Sequence, residues 1–368
     1  MTPKERVMNA LRGQEIDQIP MTIYGDMLPR GSRERRLREA GWAISQRVPV
    51  VRVSTPHVEV IESWYTEAGV RHVRVTLRTP VGESHCIQRE DDAYGTSYWT
   101  QEYFIKGPAD YKVIEYLYRD MVFEPNQAPF LRASDRLGED GYVIGQIPFA
   151  LGTTISRSFS PPMHHLMHHL MGIERFSIEL AERRDDLLAL QDVMARRQQE
   201  AFLLAVDSPA DALMYGGNIH ADLVGRRRFD QYYLPLLNEF AALAHQAGKM
   251  TMAHLDANLA GIKESVASCG LDIIEAFTPA PVCDMSVAEA RAVWPDKVMW
   301  INFTSNIHLR PYEEVRAEAL KILREAAPGY RFIMGVTEDI PEPAMWESLF
   351  AIAEVVREVG PVPYNLEG

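Results

Sequence analysis

Short apolar runs of strand character alternate with longer amphipathic stretches along almost the whole chain. The runs fall at residues 19–24, 49–54, 142–146, 210–215, 249–254, 271–275, 297–302 and 330–335. Continuous apolar runs of this length read as strands buried on both faces. The stretches between them read as helices, with clear boundaries at several ends. Thr2 is placed to cap the first helix, with Pro3 at its first position and Glu5 completing a capping box. Gly248 closes the long amphipathic helix that starts near Phe229. Eight strands alternating with helices predict a parallel sheet with right-handed crossovers. The fold class is therefore α/β, a (β/α)8 TIM barrel. It is expected as one domain over residues 1–368, preceded by a helical extension. Only between about residues 70 and 105 does the period change. Residues 72–78 alternate with period two, 79–82 form a turn, and 83–88 return, which predicts a β-hairpin insertion.

In such a barrel the polar groups at the C-terminal ends of the strands converge on the active site. The stretch Lys249-Met-Thr-Met-Ala-His254-Leu-Asp256 ends in an imidazole and a carboxylate spaced i, i+2. A strand running into a turn can aim both into one pocket, and the pair is half of a metal site. Glu275 and Glu338 stand at later strand ends as further catalytic candidates, and Glu338 as a third metal ligand. Asp26, Gln146, Tyr215, Asn218 and Asn302 occupy equivalent positions and are expected to hold substrate. Residues 163–170 carry His164, His165, His168 and His169. On a helix His164 shares a face with His168, and His165 with His169. Such pairs can bind metal, but no acidic third ligand lies nearby in sequence. The stretch is read as a partly exposed amphipathic helix that could line a substrate pocket.

Composition narrows the class. The chain is 46% hydrophobic and 24% charged, which suits a globular protein. Its formal net charge of -13 argues against nucleic-acid binding, which needs clustered positive charge. Three cysteines, Cys86, Cys269 and Cys283, form no paired framework and fit a reducing, cytoplasmic setting. No apolar run reaches the roughly 18 residues of a membrane span, and the polar N-terminal helix does not read as a signal peptide.

The opening Lys4-Glu-Arg-Val-Met-Asn-Ala-Leu-Arg-Gly13 with Asp17-Gln-Ile-Pro20 resembles the start of the uroporphyrinogen decarboxylase superfamily. So do Gly248-Lys249 before His254-x-x-x-Asn258, Asp272-Ile-Ile-Glu275, and Gly335 ahead of Glu338-Asp-Ile-Pro341. The resemblance implies a (β/α)8 barrel and one of two activities. One branch decarboxylates uroporphyrinogen without a cofactor. The other transfers methyl groups with corrinoid proteins, often with zinc. The arginine-rich motif of the decarboxylases is missing from Tyr24-Gly-Asp-Met-Leu-Pro-Arg30-Gly-Ser-Arg33, whereas the hairpin and Lys106-Gly-Pro-Ala-Asp110 look more like the methyltransferases. Those enzymes hold zinc through a His-x-Cys pair and a later Cys. Here His254 is kept, Asp256 replaces the first thiol, and no thiol stands near Val336 or Thr337. An oxygen-rich set would leave zinc a harder Lewis acid, suited to an ether oxygen. The resemblance thus implies a corrinoid-dependent O-demethylase, with His254, Asp256 and Glu338 as zinc ligands. The corrinoid would be free or carried by a partner protein, because no Asp-x-His-x-x-Gly run of a corrinoid-binding domain is present. Transfer from methyl-cobamide to a thiol or tetrahydrofolate, and metal-free decarboxylation, are the alternatives. The methyl donor, the direction of transfer and the oligomeric state are left open.

Overall fold

The computed structural model describes residues 1–91 and 98–366. Eight strands close into a parallel barrel: β1 (Met21–Tyr24), β2 (Trp42–Pro49), β3 (Gly141–Gln146), β4 (Ala212–Met214), β5 (Met250–His254), β6 (Ile273–Phe277), β7 (Val298–Ile301) and β8 (Phe332–Val336). Each strand pairs with its neighbours in chain order, and β1 closes the ring against β8. The expected α/β barrel is thus the observed one. The first helix, Pro3–Leu11, starts with the Thr2/Glu5 capping box, and Ser286 with Glu289 caps Val287–Val293 in the same way.

Side chains fill the barrel. The Trp300 indole N–H donates to the Thr22 hydroxyl at 2.7 Å, and Tyr142 tilts against the Trp300 ring. Room for that indole comes from Gly335, which lies beside Thr22 in register. A Cβ at Gly335 would stand 2.4 Å from the Ile301 carbonyl oxygen and 2.8 Å from the Trp300 ring.

One barrel strand differs from expectation. The second is Trp42–Pro49, not the run at 49–54. Residues Val51–Ser54 do form a strand, but they pair antiparallel with Val122–Pro125. The apolar run was a true strand signal attached to another sheet. The alternation in β2 was obscured by Ser45, Gln46 and Arg47. Between β5 and β6 the chain forms only a 3-10 turn, Ala260–Ile262, and the short helix Lys263–Ser268.

The chain divides into two compact units. The first comprises Met1–Val48, Gln127–Gln146 and Pro209–Gly368 and contains the barrel strands; the second comprises Pro49–Asn126 and Ile147–Ser208. In the second unit the predicted hairpin is part of a four-stranded antiparallel sheet of Glu59–Glu67, Val70–Thr79, Gly82–Glu90 and Tyr98–Glu102. Residues 92–97 of the expected insertion lie outside the described residues. The His-rich stretch is also in this unit. It starts as a short helix, Pro162–His165, and continues as a π-helical turn, Leu166–Leu170. His164 and His165 are fully buried, against the expectation of a partly exposed helix.

Candidate active site

His254 ends β5 and sits beside Glu275 of β6 in register. Its backbone is fixed on both sides. The His254 N–H donates to the Gly216 carbonyl at 3.2 Å, and the next N–H, of Leu255, to the Glu275 carbonyl at 2.8 Å. Across the mouth, Tyr24 at the end of β1 donates its hydroxyl to Oε1 of Glu275. Oε2 of the same carboxylate accepts from His254 Nδ1 at 2.6 Å. Nε2 of His254 faces Asp256 Oδ2 at 3.7 Å. The result is a continuous Tyr24–Glu275–His254–Asp256 line through residues that are 0% (Glu275), 14% (His254) and 22% (Asp256) exposed along their side chains.

Two local irregularities aim this line. Ala276 has φ 61, a left-handed conformation, and the β6–β7 register shifts between Glu275 and Phe277. A bulge of this kind redirects the neighbouring side chain. Ala257, directly after Asp256, is also left-handed, with φ 57.

A carboxylate inside a barrel is costly unless compensated. Compensation comes from His254 and from Arg47 of β2, whose guanidinium lies 4.1 Å over the Tyr24 ring. Burial works against charging His254. The Glu275 carboxylate, then the hydrogen bonds to Asp256 and Glu275, outweigh it and raise the imidazole to about 10. Burial alone would raise Asp256, but the hydrogen bond and charge of His254 bring it below the usual carboxylate range. Tyr24 is pushed well above an ordinary phenol by burial and by Glu275, so it remains a neutral donor.

The other predicted residues divide. Asp26 is exposed and borders a cavity of about 230 Å³, which is also lined by Tyr24, Arg30, Ser45 and Arg47. Gln146 is half-buried at the end of β3, opposite Met214. Asn302 is a brace between loops: its amide donates to the Thr278 hydroxyl at 3.3 Å, and its Oδ1 accepts the Thr337 N–H at 3.0 Å. Tyr215 is fully buried with its ring against Phe240 of the helix Leu234–Gln246. Asn218 is exposed, with φ 55. Glu338 is exposed and accepts from the Ser305 hydroxyl. It does not join His254 and Asp256 in a tight three-donor cluster.

Sequence reasoning missed two contributors. Tyr24 and Arg47 were passed over, the latter because it follows Ser45 and Gln46 in a strand whose pattern those residues obscure. The Cys283 thiol is pushed up to about 11 by burial and then by Asp284, Asp256, Glu338 and Asp222. A thiol thus stands within electrostatic reach of Asp256, on the loop after β6 rather than after β8. Asp256 Oδ1 is buried and, among the described residues, has no hydrogen-bond partner.

A family model described as uroporphyrinogen decarboxylase (URO-D) matches residues 158–359. Among solved structures, a methyltransferase from Methanosarcina mazei aligns over 97% of this chain and 99% of its own, with 15% identity and a TM-score of 0.54. A GH5-4 broad specificity endoglucanase from an uncultured bacterium aligns over 90% and 86%, with 10% identity and a TM-score of 0.36. The first of these likenesses is one of fold. No curated protein matches.

Proposed function

The chain belongs to the uroporphyrinogen decarboxylase (URO-D) family, and from that premise we propose that it is a methyltransferase moving a methyl group from a methoxylated substrate, such as an aryl methyl ether, to a cobalt corrinoid. The observation that carries this reading is the way His254 is held. Glu275 binds Nδ1, and Nε2 is left facing Asp256 at 3.7 Å. A carboxylate on one imidazole nitrogen is the usual support of a metal-binding histidine. The unpartnered Asp256 Oδ1 is an acceptor that a cation would satisfy. His254 and Asp256 would hold zinc, with Glu338 reachable only by a side-chain movement. Bound there, zinc would supply a Lewis acid for the departing ether oxygen.

The chain's own groups do the positioning. Tyr24 fixes Glu275, Glu275 fixes the imidazole plane, and Arg47 balances the buried carboxylate. Arg30 and Arg47 at the neighbouring cavity suit an acidic group on the substrate. At about 230 Å³ that cavity is below the roughly 300–1,000 Å³ typical of drug-sized ligands, which favours a single ring over a tetrapyrrole. The corrinoid is the acceptor, free or carried by a partner protein. The likeness in fold to a methyltransferase supports the reading.

A second reading rests on the same nitrogen. With its pKa raised to about 10, a metal-free His254 carries a proton on Nε2 near neutral pH and could give it to a leaving group or carbanion. Metal content of the wild type, His254→Ala and Asp256→Ala, measured beside corrinoid methylation with methoxybenzoates, tests the proposal. The expected result is one zinc bound at the mouth, lost in both variants together with at least about 100-fold of the activity, the upper range for loss of a key supporting group. Full activity after chelation would remove the metal role. No corrinoid methylation from any methoxylated compound would remove the function.

A further inference from the structure

In the second unit, the π-helical turn Leu166–Leu170 gathers three imidazoles that helical spacing alone would not bring together. In an α-helix His164 faces His168, and His169 points elsewhere. The π turn follows an i to i+5 bond, seen here in the Met171 N–H donating to the Leu166 carbonyl at 3.0 Å. With that register His169 comes round to join the pair. The His164 and His168 rings stack at 5.3 Å and 10°, while the His169 ring stands edge-on to both, at 6.2 Å and 4.6 Å. One nitrogen from each of the three lies within 4.8 Å of the other two. The closest pair, Nδ1 of His168 and Nδ1 of His169, is 3.3 Å apart.

We propose that His164, His168 and His169 form a three-histidine site for a transition-metal dication, zinc or copper(II). Two nitrogens each about 2.0–2.1 Å from a tetrahedral ion lie about 3.3 Å from one another. The His168–His169 pair has that spacing already, and His164 needs a shift of an ångström or so to reach it. A neutral imidazole has one lone pair on its ring nitrogens, and a cation can accept three such pairs at once. All-imidazole donors select zinc, copper or nickel over calcium or magnesium. Three protein donors also leave a fourth position for water or a ligand atom.

The surroundings fit a built site. His164 is fully buried, and Leu166, Met167 and Leu170 of the same turn are buried around it. His165, edge-on to His169 at 5.1 Å, is anchored through Nδ1 to the Tyr118 hydroxyl at 3.1 Å and packed edge-on against Phe149. An apolar wall with one hydrogen-bonded imidazole would hold the rings in place. π turns inserted in helices recur at functional sites, because they trade helix regularity for side-chain placement.

The test uses tag-free protein carrying His254→Ala and Asp256→Ala, so that the barrel mouth contributes no ion. Zinc or cobalt(II) is titrated by equilibrium dialysis with elemental analysis. One equivalent per chain is expected, lost when His168→Gln and His169→Gln are added. In the wild type the same two Gln substitutions should lower the bound metal by one equivalent. These positions are half-buried, so the fold is expected to tolerate the change, which circular dichroism checks. Independently of any Gln variant, copper(II) in the first protein should show electron-paramagnetic coupling to three nitrogens. Absence of a bound equivalent in that protein, its retention after the Gln substitutions, or coupling to a single nitrogen would each overturn the site. Failure of the mouth reading looks different: the wild type and the His254→Ala/Asp256→Ala protein would then bind the same amount.

Discussion

At the scale of single residues, the candidate site is organised around one imidazole shared by two carboxylates. Metal-free His254 has its pKa raised from 6.5 to about 10, so the protonated form is favoured by folding. The stability this contributes is full below the unfolded value and is lost as pH rises through the folded one. Urea denaturation of the metal-free protein should therefore show stability falling between about pH 6.5 and about pH 10. Glu275→Gln should flatten that fall, because it removes the largest favourable charge on the ring. It should also cost about 3–5 kcal/mol near neutral pH, since it leaves the imidazolium without its buried partner. A variant with unchanged pH dependence would show that Glu275 does not hold the proton on His254. The i, i+2 spacing of His254 and Asp256 was readable from the chain, whereas Glu275, expected at a strand end, lies within β6 beside the bulge at Ala276. Tyr24 was not, because its partner lies 251 residues away.

At the scale of elements, the barrel depends on places where backbone must approach backbone or bend. Gly335→Ala would drive a methyl group into the Ile301 carbonyl and the Trp300 ring, both closer than 3 Å to the added carbon. The expected cost is about 1–3 kcal/mol, the range for overpacking a closed core, read by chemical denaturation. Wild-type stability in that variant would mean that β7 and β8 separate easily. The elements also show where apolar pattern misleads. Residues 49–54 look more strand-like than 42–49, yet the latter close the barrel. A strand that lends Arg47 to the site carries polar residues where a purely structural strand would carry valines. Those polar positions hid the element from a reading based on hydrophobicity. The π turn is a comparable case, because an inserted register changes which residues meet while leaving the local composition unchanged.

At the scale of the whole molecule, the net charge of -13 sets how partners approach. Asp222, Asp256, Asp284 and Glu338 all act on Cys283, so the barrel mouth shares the acidic character of the chain. A corrinoid-carrying partner with a basic docking face would be steered towards it. Raising ionic strength from about 0.01 M to about 0.15 M shortens the screening length from about 30 Å to about 8 Å. Methyl transfer to such a partner should slow several-fold under subsaturating conditions, while transfer to free cobalamin should change little. Equal salt dependence for both acceptors would remove the steering role. Among the described residues no helix is long and apolar enough to cross a membrane.

Alternation of apolar runs and amphipathic stretches determined the barrel, because burying each strand between helix layers and its neighbours leaves few other ways to satisfy the pattern. It also determined that His254 ends its strand with Asp256 just beyond it, since a position at the end of a barrel strand is a property of the chain itself, whereas Glu275 lies within Ile273–Phe277 rather than at its end. Tertiary structure alone decided which groups touch. Tyr24 reaches Glu275, Arg47 covers Tyr24, Tyr215 turns to the helix layer, and Glu338 is held by Ser305. Those outcomes depend on barrel closure, on the bulge at Ala276 and on the register of neighbouring strands. They are long-range geometric facts, and local sequence spacing carries no record of them.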